Sequence, residues 1–180
     1  EIVEKQGFNV STRIVSSNAK QEVNRIACNE GFDLIVVGHS HSKVRDTFLG
    51  TIAYNVIYCA RKPALVIAVQ KKEEHYSCMR PADLGNHILY PTDFSENADL
   101  AFNYVEDFVS QGAKHVTLLH VQDKARIDPH LKDRLEEFNR IDFSRLSSMS
   151  ESLRKRQSPL IDIELAYGNP YTEIMKMVQD

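Results

Sequence analysis

The sequence predicts an α/β fold built on a parallel sheet with helices on both faces. Two observations carry this. Short, continuously apolar runs closed by glycine, proline or a charge recur along the chain, as strands buried on both faces require. Between them lie segments of helical periodicity long enough to be crossover helices, and that alternation defines βαβ units.

The elements follow in order. Phe8–Val15 alternates apolar and polar residues and is expected as an edge strand. After Asn18, an N-cap candidate, Val23, Ile26 and Ala27 share one helical face, and Gly31 supplies the stop. Asp33–Gly38, "DLIVVG", reads as a buried strand. After Thr51, the positions Ile52, Val56, Ile57 and Ala60 recur at helical spacing; Arg61 and Lys62 suit the C-terminal dipole, and Pro63 ends the helix. Ala64–Val69, "ALVIAV", is a second buried strand. Asn86–Tyr90 and His115–Val121 are two more, separated by a helix after Ser95 with Ala98, Ala101, Val105, Phe108 and Val109 as its stripe and Gly112 as its terminator. A long charged helix is expected within Pro129–Gln157, weak over Ser144–Ser152, and Leu160–Ala166 is placed as an edge strand.

Composition narrows the function. The chain has 180 residues, 42% of them hydrophobic, with a formal net charge of −3. That supports one good core or slightly more, and gives no global attraction to nucleic acid or an anionic membrane. No apolar run is long enough to span a bilayer, and no charged-then-apolar leader opens the chain. Cys28, Cys59 and Cys78 are an odd number without CxxC spacing, which points to a reducing cytoplasm rather than a disulfide framework. The first residue is Glu1 rather than Met, so a missing true N-terminus is expected.

A weak repeat links the two ends. "SNAKQEV" at Ser17–Val23 aligns with "GNPYTEI" at Gly168–Ile174, so that Asn18 meets Asn169 and Glu22 meets Glu173, 151 positions apart. Val23 then meets Ile174, and Ile26 meets Met177. A period of this length is about one domain. It divides the chain into the back half of one unit, residues 1–70, a charged connection over 71–85, and the front half of a second unit, residues 86–180. The plain alternative is a single domain with two vaguely similar strand–helix joins.

Two stretches carry a family resemblance. "ILYPTDFSENADLA" (Ile88–Ala101) with "VTLLHV" (Val116–Val121) resembles the start of a universal stress protein domain. "DLIVVGHSHSKVRDTFLGTIAYNVIYCARKPALVIAV" (Asp33–Val69) is similar to the end of one. The resemblance implies a Rossmann-like open parallel sheet of order 3-2-1-4-5, frequent ATP binding, and dimers or two domains in one chain. It implies adenine and ribose contacts at Pro91, Thr92, Asp93 and Val121. Phosphate contacts would come from a glycine pattern G-x2-G-x9-G-(S/T), which falls on Gly38, His41, Gly50 and Thr51 with Ser40 between them. The match departs from the pattern twice: His41 stands at the second glycine, and eight residues rather than nine precede Gly50. Histidine adds bulk where glycine lets backbone amides approach phosphate.

In an open parallel sheet, ligands bind beyond the carboxyl ends of the strands at the point where strand order reverses. On this reading Asp93 and Gly38 would face one crevice, with the Asp93 carboxylate accepting from an adenine amino group or a ribose hydroxyl. The free amides at the start of the helix opened by Gly50–Thr51 would favour an anion. The structural alternative is that Asp93 only turns the chain toward a helix and Thr51 only caps one. His39 and His41 in "GHSH" are half a metal site without a correspondingly spaced partner, so a solvated loop and no metal are expected. "LRKR" at Leu153–Arg156 is read as a solvated helix face.

Three functions stand in order: an adenine-nucleotide-binding stress regulator, using ATP or a related nucleotide and acting through a homodimer, a domain pair or an unidentified protein partner; an interaction module without nucleotide; and, last, a slow ATPase. No general base with an orienting partner and no magnesium carboxylates stand out, so no catalytic residue is assigned.

Overall fold

Each half of the chain buries its strands under its own helices. The computed structural model describes residues 3–16, 18–41, 51–72, 75–78 and 85–179, with side chains described for these except 19–20, 39–41, 51–52, 68 and 70–78. It divides into two units, Glu1–Met79 and Arg80–Asp180. The division falls within the stretch 71–85 that composition marks as a connection.

In the first unit a 3-10 turn (Glu4–Gln6) precedes α1 (Ala19–Asn29), β1 (Ile35–His41), α2 (Thr51–Tyr58), β2 (Ala64–Lys72) and β3 (His75–Cys78). β1 and β2 pair in parallel from Ile35↔Ala64 to His41↔Gln70, and β3 turns back antiparallel to β2 with Lys72 opposite His75. Ala27, Ile35 and Val56 are the buried centre, packed by Val23, Val37 and Ala64. α1 starts where Asn18 indicated: its carbonyl accepts the amides of Gln21 and Glu22, each at 3.1 Å. Gly31, with φ +73°, follows it, a conformation that costs glycine little.

Three features depart from the sequence reading. Phe8–Val15 forms no strand; it is exposed throughout, Ile14 to 95%. Alternation alone does not make a strand without a ladder partner to take its amides and carbonyls. β1 runs three residues beyond Gly38, because β2 is long enough to pair with it as far as Gln70, so "GHSH" lies in a strand rather than a loop. Part of the expected connection, 75–78, pairs as β3.

The second unit runs β4 (Ile88–Thr92), α3 (Glu96–Ser110), β5 (His115–Asp123), the short α4 (Lys124–Ile127), a 3-10 turn (Lys132–Arg134), α5 (Leu135–Arg156), β6 (Leu160–Gly168) and α6 (Pro170–Gln179). Its sheet has the order β4-β5-β6 with all strands parallel, Ile88 opposite Val116 and His115 opposite Leu160. Val116 and Leu118 of β5, Tyr90 of β4 and Ile161 of β6 form one core with Val105 and Val109 of α3 and Leu146 and Leu153 of α5. β-strand alternation therefore turns His120 and Gln122 toward the same helices, and Leu119 and Val121 away from them. α6 packs against β5 and β6.

The helix expected to weaken at Ser144–Ser152 is continuous through it. Leu146, Ser150 and Leu153 make its buried stripe, while the Ser147 and Ser148 hydroxyls donate back to the Phe143 and Ser144 carbonyls. Packing of that stripe outweighs serine's poor helix propensity. In the basic run that follows, Leu153 is buried and Arg156 reaches Glu106 of α3 at 2.6 Å. Ala19 and Pro170 each open a helix, and Asn169 accepts the Glu173 amide at 3.0 Å as Asn18 accepts that of Glu22 at 3.1 Å. Among the described residues, no helix is long and apolar enough to cross a membrane.

Replacing Leu146 by Ala should lower unfolding stability by about 2–5 kcal/mol, whereas Ile141→Ala, at an exposed position of the same helix, should change it by no more than about 0.5 kcal/mol. Urea unfolding of both variants checks the assigned helix face.

Candidate functional site

β4 is a short strand whose last two residues, Pro91 and Thr92, bring the chain to the carboxyl end of the sheet. Proline donates no amide, and Thr92 is buried opposite His120 of β5, so pairing stops there. The next residues are held by their own side chains. The Thr92 hydroxyl accepts the Phe94 amide at 2.9 Å, and Asp93 Oδ1 accepts the Ser95 amide at 3.0 Å. Ser95 then caps α3, its hydroxyl oxygen accepting the Ala98 amide at 3.2 Å. Phe94 takes φ +58°, a left-handed conformation that costs a non-glycine residue about 1–3 kcal/mol.

Aromatic and polar contacts hold Phe94 in that conformation. Its ring centroid lies 4.5 Å from that of His120, and the Arg145 guanidinium of α5 sits 3.9 Å from the ring centroid. A cation over an aromatic face contributes about 0.5–2 kcal/mol. Beneath Phe94, His120 Nδ1 lies 2.7 Å from the Thr92 carbonyl and Nε2 lies 3.5 Å from Asp142 Oδ2. A carbonyl only accepts, so Nδ1 carries the proton. Gln122 Nε2 donates to the same Asp142 oxygen at 2.9 Å, and its own Oε1 is buried without a partner.

The Asp93 carboxylate is exposed, and hydrogen bonding from Ser95, side chain first and then amide, holds its pKa below the ordinary carboxylate value. The nearby His120 acts in the same direction more weakly. Burial, by contrast, pushes the Tyr90 hydroxyl up, and that group donates to the Ala98 carbonyl at 2.7 Å.

Of the residues expected to hold a ligand, Pro91, Thr92, Asp93 and Val121 come together at the carboxyl ends of β4 and β5. Asp93 does make the turn that the structural alternative assigns to it, yet one amide leaves a carboxylate most of its acceptor capacity. Gly38, Ser40 and His41 lie on β1 of the first unit, and Thr51 is the first residue of α2. Gly50 lies outside the described residues. A Cβ at Gly38 would meet only Val69 Cγ2, at 3.9 Å, so packing does not demand glycine there. Among the described residues, no group of three or more His, Cys, Asp or Glu side chains is placed to hold a metal ion.

Sequence reasoning did not single out His120, Gln122 or Asp142. The signal was present: a histidine and a glutamine on the buried parity of "HVTLLHVQD", and an aspartate four residues before Leu146 on the buried face of α5.

A strand-end turn with an exposed carboxylate, on a parallel sheet under crossover helices, defines the class as a Rossmann-like α/β protein. The universal stress protein family model matches residues 1–68. The universal stress protein MJ0577 of Methanocaldococcus jannaschii is 31% identical over 111 residues, covering 52% of this chain and 68% of that protein. The chain belongs to the universal stress protein family. The solved structure of MJ0577 overlaps 53% of this chain and 67% of its own, with a TM-score of 0.48 and 30% identity. UspA of Lactobacillus plantarum overlaps 52% of this chain and 68% of its own, with a TM-score of 0.46 and 22% identity. A universal stress protein of Archaeoglobus fulgidus overlaps 53% and 36%, with a TM-score of 0.46 and 21% identity.

The lowered pKa of Asp93 makes a signed prediction. Its contribution to stability is present above the unfolded-state value, 3.8, and is lost as pH falls through the lower folded-state value. Asp93→Asn keeps an acceptor for the Ser95 amide without the charge, so this part of the acid-side loss should vanish. Urea midpoints of the two proteins between neutral and acid pH measure it.

Proposed function

We propose that this protein is an adenine-nucleotide-binding regulator, with ATP or a related nucleotide seated against the β4 tip. The observation that carries the reading is Asp93: an exposed carboxylate, its ionised form favoured by Ser95, on a turn fixed by Thr92 at the carboxyl end of β4. A fixed acceptor of this kind favours ligands that offer an amino group or hydroxyl and discriminates against those that do not. Pro91 and Val121 would line the base and ribose. The family resemblance supplies the identity of the nucleotide, and with it the phosphate role of Gly38, Ser40, His41, Gly50 and Thr51. In this reading the chain acts in the cytoplasm by binding rather than turnover, as a homodimer or a domain pair. Residues 1–70 and 86–180 would be halves of successive units joined through 71–85.

Turnover has no support in the described geometry of the β4 tip. His120, in ring contact with Phe94, has Nδ1 on the Thr92 carbonyl and Nε2 turned toward Asp142 of α5 rather than toward the Asp93 carboxylate. A second reading, an interaction module without nucleotide, is favoured by one observation: position 41 is a histidine within β1, where the phosphate pattern has glycine.

Calorimetric titration with ATP, ADP and AMP tests the proposal. The wild-type chain should bind, Asp93→Ala should weaken binding about tenfold or more, roughly 1.4 kcal/mol, and Asp93→Asn should fall between them. Equal affinity in all three would remove Asp93 from the site. A wild-type chain that binds none of the three would leave the interaction module.

A further inference from the structure

We propose that His120, Asp142 and Gln122 form a partly buried positioning cluster that fixes the backbone of the β4 tip and thereby presents Asp93. The role assigned to Asp93 rests on the nucleotide reading; the support of the tip does not.

Two hydrogen bonds and one ion-pair contact link the three side chains to the tip. Gln122, only 2% exposed, donates to Asp142 Oδ2 at 2.9 Å; that oxygen lies 3.5 Å from His120 Nε2, an ion pair when both ring nitrogens carry protons; and His120 Nδ1 donates to the Thr92 carbonyl at 2.7 Å. The side chains of His120 and Asp142 are 14% and 15% exposed. Phe94 lies against the imidazole, with the Arg145 guanidinium 3.9 Å from its ring centroid. Thr92 is thus held at both polar ends, its carbonyl by His120 and its hydroxyl by the Phe94 amide. Asp93 follows directly on these two tethers, and its own side chain accepts the Ser95 amide.

The arrangement is an expensive way to fill a core. Gln122 leaves a buried acceptor unpaired, and two polar side chains, His120 and Gln122, continue the face on which Val116 and Leu118 are apolar, with Asp142 of α5 set against them. Well-packed apolar residues often replace buried polar groups without loss of stability. What such residues cannot do is hold a carbonyl in direction, and that is the task His120 performs at the residue before Asp93.

The experiment reads amide exchange at Phe94 and Ser95, whose donors report the tip directly, beside ATP affinity and urea unfolding of the full chain. His120→Leu should speed exchange at both amides about tenfold and weaken ATP about tenfold, in excess of any change at the core amides of β5. His120→Asn, whose amide nitrogen takes the place of Nδ1, should return both readouts to within about threefold of wild type. Asp142→Asn tests the next link and serves if His120→Leu does not fold; it should move exchange in the same direction by about threefold. Unchanged exchange at Phe94 and Ser95 in His120→Leu, or in Asp142→Asn if that variant alone folds, overturns the proposal. If the wild-type chain binds no nucleotide, the exchange arm still decides the positioning role, while the nucleotide reading alone fails.

Discussion

The hydrogen bond from His120 to the Thr92 carbonyl is the contact on which the described site depends. Parallel pairing would carry β4 no further than Thr92, and beyond it the chain must turn into α3. A carbonyl at that point would otherwise be free to rotate with the turn. Tied from β5, it sets the plane of the peptide leading to Asp93; the next peptide then turns the Phe94 amide back to the Thr92 hydroxyl, and the left-handed Phe94 directs the chain toward α3. The local strain is offset by the contacts of the Phe94 ring with His120 and Arg145.

The architecture was legible where local signals and burial agree. Ser95 and Gly112 bound α3 as a cap and a terminator should, and the expected strands at 33–38, 64–69, 86–90 and 115–121 all form, the first and third starting two residues later than expected. The failures share a cause: each needed a partner that a sequence window does not contain. Phe8–Val15 has the alternation of a strand and no ladder. Gly38 looked like an end, yet β2 extends the pairing past it. The serine-rich part of α5 looked weak because Leu146 and Leu153 gain their worth only against β5 and α3. At the site, Asp93 was visible through its motif, while Asp142 lies on a helix whose phase against the sheet is set by packing.

The universal stress protein family model matches residues 1–68, which include only the first of the two segments that align 151 positions apart. Both segments open a helix, at Ala19 and at Pro170, and they differ in what precedes it. The segment before α6 is the nine-residue strand β6, whereas Phe8–Val15, before α1, forms no strand. Equal spacing thus preserves the cap and the helix phase, while strand formation depends on what lies alongside.

β3 has a consequence for how the first sheet can grow. Lying antiparallel on the far side of β2, it makes the two flanks of the sheet unlike. A further strand running with β1 and β2 would pair in parallel beside β1 and antiparallel beside β3, so the hairpin sets which kind of ladder each flank offers to a newcomer.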